Sequence, residues 1–468
     1  MQIWLGVENF AKIERARVCI NRYTLLVGQN NSGKTFLMQL IQGVLEKIIF
    51  LIDTDVLDIL SNESVEEYDS YILTSNNIAK FVQYLNDRLQ KEKDHIVREI
   101  FGKDIPIGKL YIDISMSEDI IYTLYILDGL KYNRKNAEEI IEAEWIHRMG
   151  NLFLKRDQGN IFVLDEIEKK NETFHTILAG IGAADSLIDI VCDSLDKILN
   201  LKSLFLPASR TGLLLLYREF FVNKTDYAIS YEIGESRTLK NNESYGGLTK
   251  SVYEFLRFLQ RYSENKYRKE VFKKELQFFE DHVIEGHINI DSQKVFFYQS
   301  KDDENETPMY LSSSMINETA PIAMAIISDE GYRRLIVDEI EASMHPEKQL
   351  EIVRFLNRVY RKGMSLVVST HSDTFVSKIN NLYILSHYKQ QLKDDNMMAD
   401  ILNTFGLNME DLINVEDLCV YEFVIQPNGK SLVKEIKGNE KTGFQFDLFT
   451  DSAMKIYDEN LRIGELQL

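Results

Sequence analysis

The residues best suited to chemistry lie between Gly28 and Thr35, where the sequence fits G-x-x-x-x-G-K-[ST]. Two glycines let the backbone curl around a phosphate, Lys34 can reach the β and γ phosphates, and the Thr35 hydroxyl can bind Mg²⁺. The apolar run 23–27 before the motif predicts a strand, and 36–44 after it predicts a helix whose positive end faces the phosphates. This context favours a nucleoside-triphosphate site over an ordinary glycine turn. The predicted binding residues are Gly28, Asn30, Asn31, Ser32, Gly33, Lys34 and Thr35.

A second group of reactive side chains ends the segment 333–341, an apolar strand followed by carboxylates. Ligands of parallel-sheet proteins bind at the carboxyl ends of strands. Asp338 is therefore expected to act on Mg²⁺ through its water shell, and Glu339 to orient the water that attacks the γ phosphate. Strand ends also carry acids into solvent, so the pair is informative mainly in combination with the phosphate loop. Glu341 is either a neighbour of these acids or a cap for the helix that starts near Pro346, and we favour the cap.

A histidine follows another predicted strand, 365–370. His371 would lie at the carboxyl end of that strand, where it could hydrogen-bond a γ phosphate. A lone histidine is more often structural, but the two other site segments favour the nucleotide role.

These segments, in this order, resemble the ATP-binding-cassette (ABC) class of ATPases. The resemblance is to the soluble branch that contains the structural-maintenance-of-chromosomes (SMC) proteins and the overcoming-lysogenization-defect family. It rests on Gly28–Thr35, Leu335–Pro346 and Val367–Asp373. It implies that Asp338 serves Mg²⁺, that Glu339 is the catalytic carboxylate and that His371 senses the γ phosphate. The fold class expected is α/β: an ABC-type P-loop ATPase head with a mixed β-sheet core, a flanking antiparallel sheet and a helical insertion.

The same branch has a serine-rich signature loop at a helix start, which reaches the nucleotide of a second subunit. The segment 310–321 lies where that loop should be, and its Ser312, Ser313 and Ser314 could donate to a γ phosphate. The alternative is a simple serine N-cap. The resemblance implies a homodimer or higher homo-oligomer with ATP and Mg²⁺ as cofactors.

The segment Pro207–Arg210 resembles parts of ATPases from bacterial anti-phage defence systems of Septu and retron type. Arg210 is expected to face phosphate or the contact between subunits. Some relatives carry a C-terminal nuclease domain, whereas here 418–433 reads as a β-hairpin with Asn428 and Gly429 at its turn, without an acidic cluster. We therefore expect a separately encoded effector, either a toxin or a nuclease.

Composition restricts the remaining possibilities. Of the 468 residues 44% are apolar, which supports a large core, and 54 basic against 73 acidic residues give a net charge of −19. This charge argues against broad adhesion to nucleic acid or anionic membranes, although a local nucleic-acid surface stays possible. Three distant cysteines, a start without a signal pattern and no apolar run of ~20 residues indicate a cytoplasmic protein without a membrane segment.

Four regions are predicted: an N-terminal ATPase lobe at 1–215, a helical subdomain at 216–285, a C-terminal ATPase lobe at 286–410 and a β-rich appendage at 411–468. Two alternating runs, 109–115 and 120–127, predict a half-exposed sheet. Two helices are expected within 249–285, whose cations form either a partner surface or an ordinary solvated face. The leading hypothesis is an ATPase of a defence system; the alternatives are a DNA-repair or chromosome-maintenance ATPase and a nucleotide-locked scaffold with little turnover.

Overall fold

The apolar runs form strands and the amphipathic segments form helices in a computed structural model of the chain. The structure describes residues 2–60, 68–72, 77–115, 123–128, 152–157, 160–164, 176–178, 192, 195–196, 199–217, 247–291, 295–392, 394–446, 454–455 and 457–463. The strands are β1 (Gln2–Phe10), β2 (Ile13–Cys19), β3 (Tyr23–Gly28), β4 (Tyr68–Ile72), β5 (Lys109–Ser115), β6 (Thr123–Asp128), β7 (Leu152–Asp157), β8 (Asn160–Leu164), β9 (Thr176–Leu178), β10 (Ser203–Leu206), β11 (Gly286–Ile290), β12 (Phe296–Ser300), β13 (Thr307–Pro308), β14 (Arg334–Val337), β15 (Ser365–Thr370), β16 (Leu418–Ile425) and β17 (Ser431–Ile436). The helices are α1 (Lys34–Ile48), α2 (Val56–Leu60), α3 (Ile78–Phe101), α4 (Lys250–Arg261), α5 (Lys266–Val271), α6 (Lys273–Phe278), α7 (Ser314–Ile327), α8 (Pro346–Arg361), α9 (Asp373–Gln391) and α10 (Asp395–Thr404).

The chain separates into two units. The first comprises Met1–Trp4, Leu45–Glu92 and Leu110–Leu201, and the second comprises Leu5–Val44, Lys93–Lys109 and Lys202–Leu468. Every site residue predicted from the sequence belongs to the second unit. The four regions predicted from the sequence stay a prediction.

The largest sheet has nine strands in the order β10-β14-β15-β3-β16-β17-β2-β1-β5. Its strands β10, β14, β15, β3 and β16 are parallel neighbours. All residues of β3, β10, β14 and β15 are buried, as expected for parallel strands that are covered on both faces. The carboxyl ends of parallel strands lie at one edge of a sheet. The segments that follow these four strands are therefore brought to the same edge.

Two smaller sheets complete the β structure of the described residues. One has three antiparallel strands, β11-β12-β13, and the other has five, β4-β6-β7-β8-β9, with a single parallel pair between β6 and β7. The predicted fold class is confirmed: an α/β protein with a large mixed sheet, a separate small antiparallel sheet and a helical insertion.

The sheet predicted from 109–115 and 120–127 is partly wrong. Both runs contain strands, and β5 has the expected alternation of exposed and buried residues. However, β5 belongs to the nine-stranded sheet and β6 to the five-stranded one. Alternation specifies which face of a strand is buried, but it does not specify the neighbouring strand.

The described part of the helical insertion contains α4, α5 and α6 instead of the two helices predicted. α5 starts as a separate helix because the Asn265 N–H donates to the Ile327 carbonyl instead of continuing α4. The Asn265 side chain caps the new helix. Several cations of these helices form ion pairs with nearby acids: Arg257 with Glu254, Lys269 with Glu264 and Lys273 with Glu270. These contacts favour the ordinary solvated face. Residues 218–246 of the predicted helical subdomain lie outside the described residues.

The predicted C-terminal hairpin is confirmed as β16 and β17, which pair antiparallel around Gly429 at φ +77°. The hairpin lies inside the nine-stranded sheet, where β16 pairs with β3 and β17 with β2. The strand that precedes the phosphate loop is therefore flanked by β15 and β16. Among the described residues, no helix combines the length and the apolar character that crossing a membrane requires.

Candidate active site

The phosphate loop leaves β3 and enters α1. Asn31 and Gly33 have positive φ values of 63° and 98°, which curl the backbone between strand and helix. A Cβ at Gly28 would lie 2.7 Å from the Cβ of Phe423 on β16, so only glycine fits there. Because α1 begins at Lys34, the first N–H groups of the helix have no carbonyl in a preceding turn and can bind an anion. The exposed Asn30 and Asn31 border this concave surface.

The Lys34 side chain is folded into the loop, and the residue is only 4% exposed. It donates to the Gly28 carbonyl at 2.9 Å, to the Gln29 carbonyl at 3.0 Å and to Ser32 Oγ at 3.4 Å. Burial lowers the pKa of Lys34 to about 8, although nearby carboxylates, Asp338 first, act to raise it. Phosphate oxygens are better partners for the ammonium than carbonyl oxygens, because they carry full negative charge.

The phosphate loop and the acidic strand meet at a direct hydrogen bond. Thr35 Oγ1 donates to Asp338 Oδ2 at 2.6 Å, across 303 residues of sequence. Asp338 is 2% exposed, and its other oxygen, Oδ1, accepts from Ser369 Oγ at 2.5 Å. A hydroxyl and a carboxylate oxygen are ligands that Mg²⁺ accepts, with water and substrate phosphates completing the octahedron. One hydroxyl and one carboxylate leave the other positions to water and phosphate oxygens, so the donor set fits Mg²⁺ bound with a nucleotide.

Glu339 lies next to this pair in a left-handed backbone conformation, with φ +47°. Its N–H donates to Ser369 Oγ at 2.8 Å, so one serine holds both acids. Burial raises the pKa of Glu339, and the charge of Asp338 raises it further, while Lys34 and Arg210 act in the opposite direction. The side chain is 45% exposed and can therefore meet solvent water. A carboxylate with a raised pKa, in contact with water, is suited to a general base.

His371 also lies at this edge of the sheet. Its Nε2 is 3.9 Å from Glu339 Oε1, and its ring has a hydrogen bond with the backbone of Gly28. Burial lowers the pKa of His371, and the charge of Lys34 lowers it further. The imidazole is therefore neutral near pH 7 and can donate one hydrogen bond.

The prediction that Glu341 caps the following helix is wrong. Glu341 Oε1 accepts the His371 N–H at 2.5 Å, which ties the histidine to the acidic strand. His345 is the N-cap of α8 instead, because its ring nitrogen Nδ1 accepts the Glu347 N–H. Which residue caps α8 is therefore decided by the folded chain.

The prediction that Arg210 faces phosphate or a subunit contact is also wrong. Its guanidinium is completely buried and donates to three carbonyls behind the acids: from Nη1 to Pro207 at 2.9 Å and Asp338 at 2.8 Å, and from Nη2 to Glu339 at 3.3 Å. It also forms an ion pair with Glu318 at 3.1 Å. Arg210 therefore contacts the backbone of the site and not its open face.

The serine-rich segment begins α7. Ser313 is the N-cap, and its Oγ accepts the Ile316 N–H at 3.4 Å, while Ser312 Oγ donates to the Pro308 carbonyl at 3.4 Å. Ser313 and Ser314 are exposed. The side-chain hydrogen bonds of Ser312 and Ser313 are local, and among the described residues no hydrogen bond joins the three serines to Lys34. They remain available to another molecule.

The structure therefore brings together the phosphate loop, Asp338, Glu339 and His371. Sequence reasoning missed Ser369 and Glu318, which hold the acids and Arg210. The available signal was a polar or charged side chain within a buried stretch: Ser369 lies in the fully buried strand β15 and Glu318 in the buried stretch 316–327 of α7.

Residues 229–377 match the family model described as "AAA domain, putative AbiEii toxin, Type IV TA system". This match covers less than half of the chain and includes the acidic strand and His371, but it begins after the phosphate loop. A comparison with curated proteins gives no match. With the phosphate-loop geometry, the family match supports a P-loop ATPase.

Several solved structures are similar to this chain. The SMC head domain from Thermotoga maritima is 10% identical with a TM-score of 0.32, and the similarity covers 93% of this chain and all of that one. An Smc head bound to the C-terminal winged-helix domain of ScpA is 11% identical with a TM-score of 0.35, covering 93% and 97%. The Smc head domain with an extended coiled coil, bound to the C-terminal domain of ScpA derived from Pyrococcus furiosus, is 11% identical with a TM-score of 0.34, covering 97% and 98%. With TM-scores below 0.5, these similarities carry no argument about function.

Proposed function

We propose that this chain is a Mg²⁺-dependent ATPase that dimerises around ATP. The observation that carries the proposal is the 2.6 Å contact between Thr35 Oγ1 and Asp338 Oδ2. It supports a single site in which the phosphate loop and the catalytic acids act on one triphosphate.

Each residue of the site has a defined task in this proposal. Thr35 and Asp338 would hold Mg²⁺, which would supply positive charge to neutralise the charge that develops on the phosphates. Lys34 binds and orients the terminal phosphates. Glu339 orients the attacking water and accepts its proton, and the neutral ring of His371 donates a hydrogen bond to the γ phosphate.

Pairing of two chains is supported by the surface around the serine-rich segment. Tyr310 and Leu311 directly precede the serines and are 59% and 67% exposed. The exposed Ser313 and Ser314 lie at the N-terminus of a 14-residue helix, whose dipole favours an anion. A second subunit that presents its bound γ phosphate here would bury the apolar pair and complete the site.

Turnover measurements on three variants test the hydrolytic part. Lys34→Ala should lose ATP retention, because the Lys34 ammonium lies within the phosphate loop, where it donates to the Gly28 and Gln29 carbonyls. Glu339→Gln should retain ATP and turn over about 10²–10⁴-fold more slowly. Glu347→Gln, an exposed acid in the first turn of α8, is the matched control and should keep the wild-type rate. Equal rates in wild type and Glu339→Gln would refute hydrolysis at this site and favour the nucleotide-locked scaffold.

Light scattering tests the dimer. Glu339→Gln with saturating ATP should double in mass, because binding without hydrolysis favours the closed pair. Lys34→Ala under the same conditions should stay at the mass of the nucleotide-free protein. A Glu339→Gln sample that binds ATP without any change in mass would exclude ATP-dependent pairing.

The proposed biological role is a motor or sensor of a cytoplasmic bacterial anti-phage defence system that controls a separately encoded toxin or nuclease. The family description, which names a toxin of a toxin–antitoxin system, supports this role over general housekeeping. Plating of phage on cells that carry the native locus, the chain alone or the Glu339→Gln locus tests it. Protection should require both the neighbouring gene and Glu339.

Two outcomes would contradict this role. Full restriction of phage by cells that carry the chain alone, together with purification of the chain from them without a partner, would exclude a separate effector. Sensitivity of a deletion strain to DNA damage, with unchanged phage resistance, would favour the alternative of a repair or chromosome-maintenance ATPase.

A further inference from the structure

A completely buried ion pair lies behind the candidate active site. Arg210 follows β10, and Glu318 lies in the second turn of α7. Arg210 Nε is 3.1 Å from Glu318 Oε2 and donates to the Glu318 carbonyl at 2.7 Å. Removing a buried arginine and a buried glutamate from water is unfavourable, and hydrophobic residues in their place are often at least as stabilising. Stability alone therefore does not account for this pair.

The guanidinium of Arg210 holds the backbone that carries the catalytic acid. Its two terminal nitrogens donate to the carbonyls of Asp338 and Glu339, at 2.8 and 3.3 Å. On the other side of the same backbone, the Glu339 N–H donates to Ser369 Oγ at 2.8 Å. The chain at Glu339 is thus fixed from both sides.

This fixation matters because the conformation of Glu339 is unfavourable by itself. A non-glycine residue at φ +47° is strained, and such strain persists only where surrounding contacts determine it. A relaxed backbone would swing the Glu339 carboxylate away from its present position near His371. The contacts of Arg210 therefore bear directly on where the general base points.

The same pair is connected to the serine-rich helix. The Glu318 carboxylate accepts the N–H groups of Arg210 at 3.1 Å and Thr211 at 2.9 Å. Thr211 Oγ1 in turn donates to the Ser314 carbonyl at 3.3 Å, in the first turn of α7. A displacement of α7 is therefore transmitted through Glu318 and Arg210 to the backbone of Glu339.

We propose that Arg210, paired with Glu318, is a positioning residue that couples the serine-rich helix α7 to the orientation of the catalytic Glu339. This inference rests on the proposed ATPase function. It assigns to Arg210 control of turnover and not of nucleotide binding, because none of its contacts reaches the phosphate loop.

Steady-state kinetics and ATP-binding titrations of the full chain test the inference. Arg210→Met should lower kcat about 100-fold, as expected when a reacting group is misplaced by about 1 Å, and should leave the Kd for ATP close to wild type. Arg334→Met is the matched control. Arg334 is equally buried and lies at the opposite end of β14, where its Nε donates to the Ile20 carbonyl at 2.5 Å. The Arg334→Met variant should have a lower free energy of unfolding, while its folded fraction should keep a kcat close to wild type.

A double-mutant cycle with Glu339→Gln separates positioning from general damage. If Arg210 acts through Glu339, adding Arg210→Met to Glu339→Gln should slow the residual turnover little further, whereas Arg334→Met should have the same effect in both backgrounds. Full additivity of Arg210→Met and Glu339→Gln would overturn the inference. So would a wild-type kcat in folded Arg210→Met protein.

A second variant covers the case in which Arg210→Met does not fold. Glu318→Gln keeps the shape of the side chain and one acceptor oxygen. It removes the charge that holds the guanidinium and leaves either the Arg210 or the Thr211 N–H without its acceptor. Its kcat should fall about tenfold with ATP binding retained, which is the factor expected when a charged hydrogen bond is weakened. An unchanged kcat in Glu318→Gln would overturn the inference. Failure of the proposed function is distinguishable, because then wild type and Glu339→Gln would turn over ATP equally.

Discussion

Replacement of Ser369 by alanine gives the sharpest test of how the metal-binding acid is held. Ser369 Oγ donates to Asp338 Oδ1 at 2.5 Å and accepts the Glu339 N–H at 2.8 Å. Alanine removes both contacts while it keeps the strand conformation and almost the same volume. The Asp338 carboxylate would then lose its orienting hydrogen bond, and the Glu339 N–H would lose its acceptor.

The magnitude follows from these two contacts. Loss of a hydrogen bond to a metal-ligating carboxylate typically lowers metal affinity or activity about 10–100-fold. The unsatisfied N–H and the lost bond to a charged group together should reduce the free energy of unfolding by about 1–3 kcal/mol. Ser369→Ala should therefore stay folded and need about 10–100 times more Mg²⁺ for half-maximal turnover.

The assay is ATP turnover as a function of free Mg²⁺, together with thermal unfolding. Ser365→Ala is the matched control, since Ser365 lies on the same strand β15, is buried and donates to the Asn21 carbonyl at 3.2 Å, far from the acids. It should lose comparable stability and keep the wild-type Mg²⁺ dependence. Identical Mg²⁺ titrations for Ser369→Ala and Ser365→Ala would refute the assignment of Ser369 as the support of Asp338.

Two further predictions concern stability and thiol reactivity. Asp411 is completely buried; although burial raises its pKa, hydrogen bonds from two arginines of α8 outweigh this and lower the pKa below 3.8. Its stabilisation is therefore full above the unfolded pKa and is lost as the pH falls through the folded one. Asp411→Asn should cost about 3–5 kcal/mol in chemical denaturation at pH 7, where Glu270→Gln in an exposed pair changes almost nothing. A cost that stays the same as the pH falls through the acid range would contradict this. The hydrogen bond with Cys19 and burial raise the pKa of Cys419. In native protein the partly exposed Cys192 should therefore react first with a thiol reagent. Rapid labelling of Cys419 would contradict the buried arrangement.

The local parts of the site could be predicted from the sequence. Glycines at both ends of the phosphate loop, Lys34 and Thr35 act within one short segment, so their geometry depends mainly on neighbours in the chain. The positions of Asp338 and His371 also followed, because each comes directly after a buried apolar run and parallel strands end at a common edge. The family resemblance added expected roles, which the measurements above can test.

The contacts between distant segments were decided only by the tertiary structure. Whether Arg210 faces a ligand or the interior depends on Glu318, 108 residues away, and no local pattern contains that information. Ser369 is one of three polar residues of β15 in the sequence, and only the pairing of β15 with β14 places it beside the acids. The reason is physical: hydrogen bonds of buried side chains depend on which elements pack together, whereas backbone turns and strand ends depend on the residues next to them in the chain.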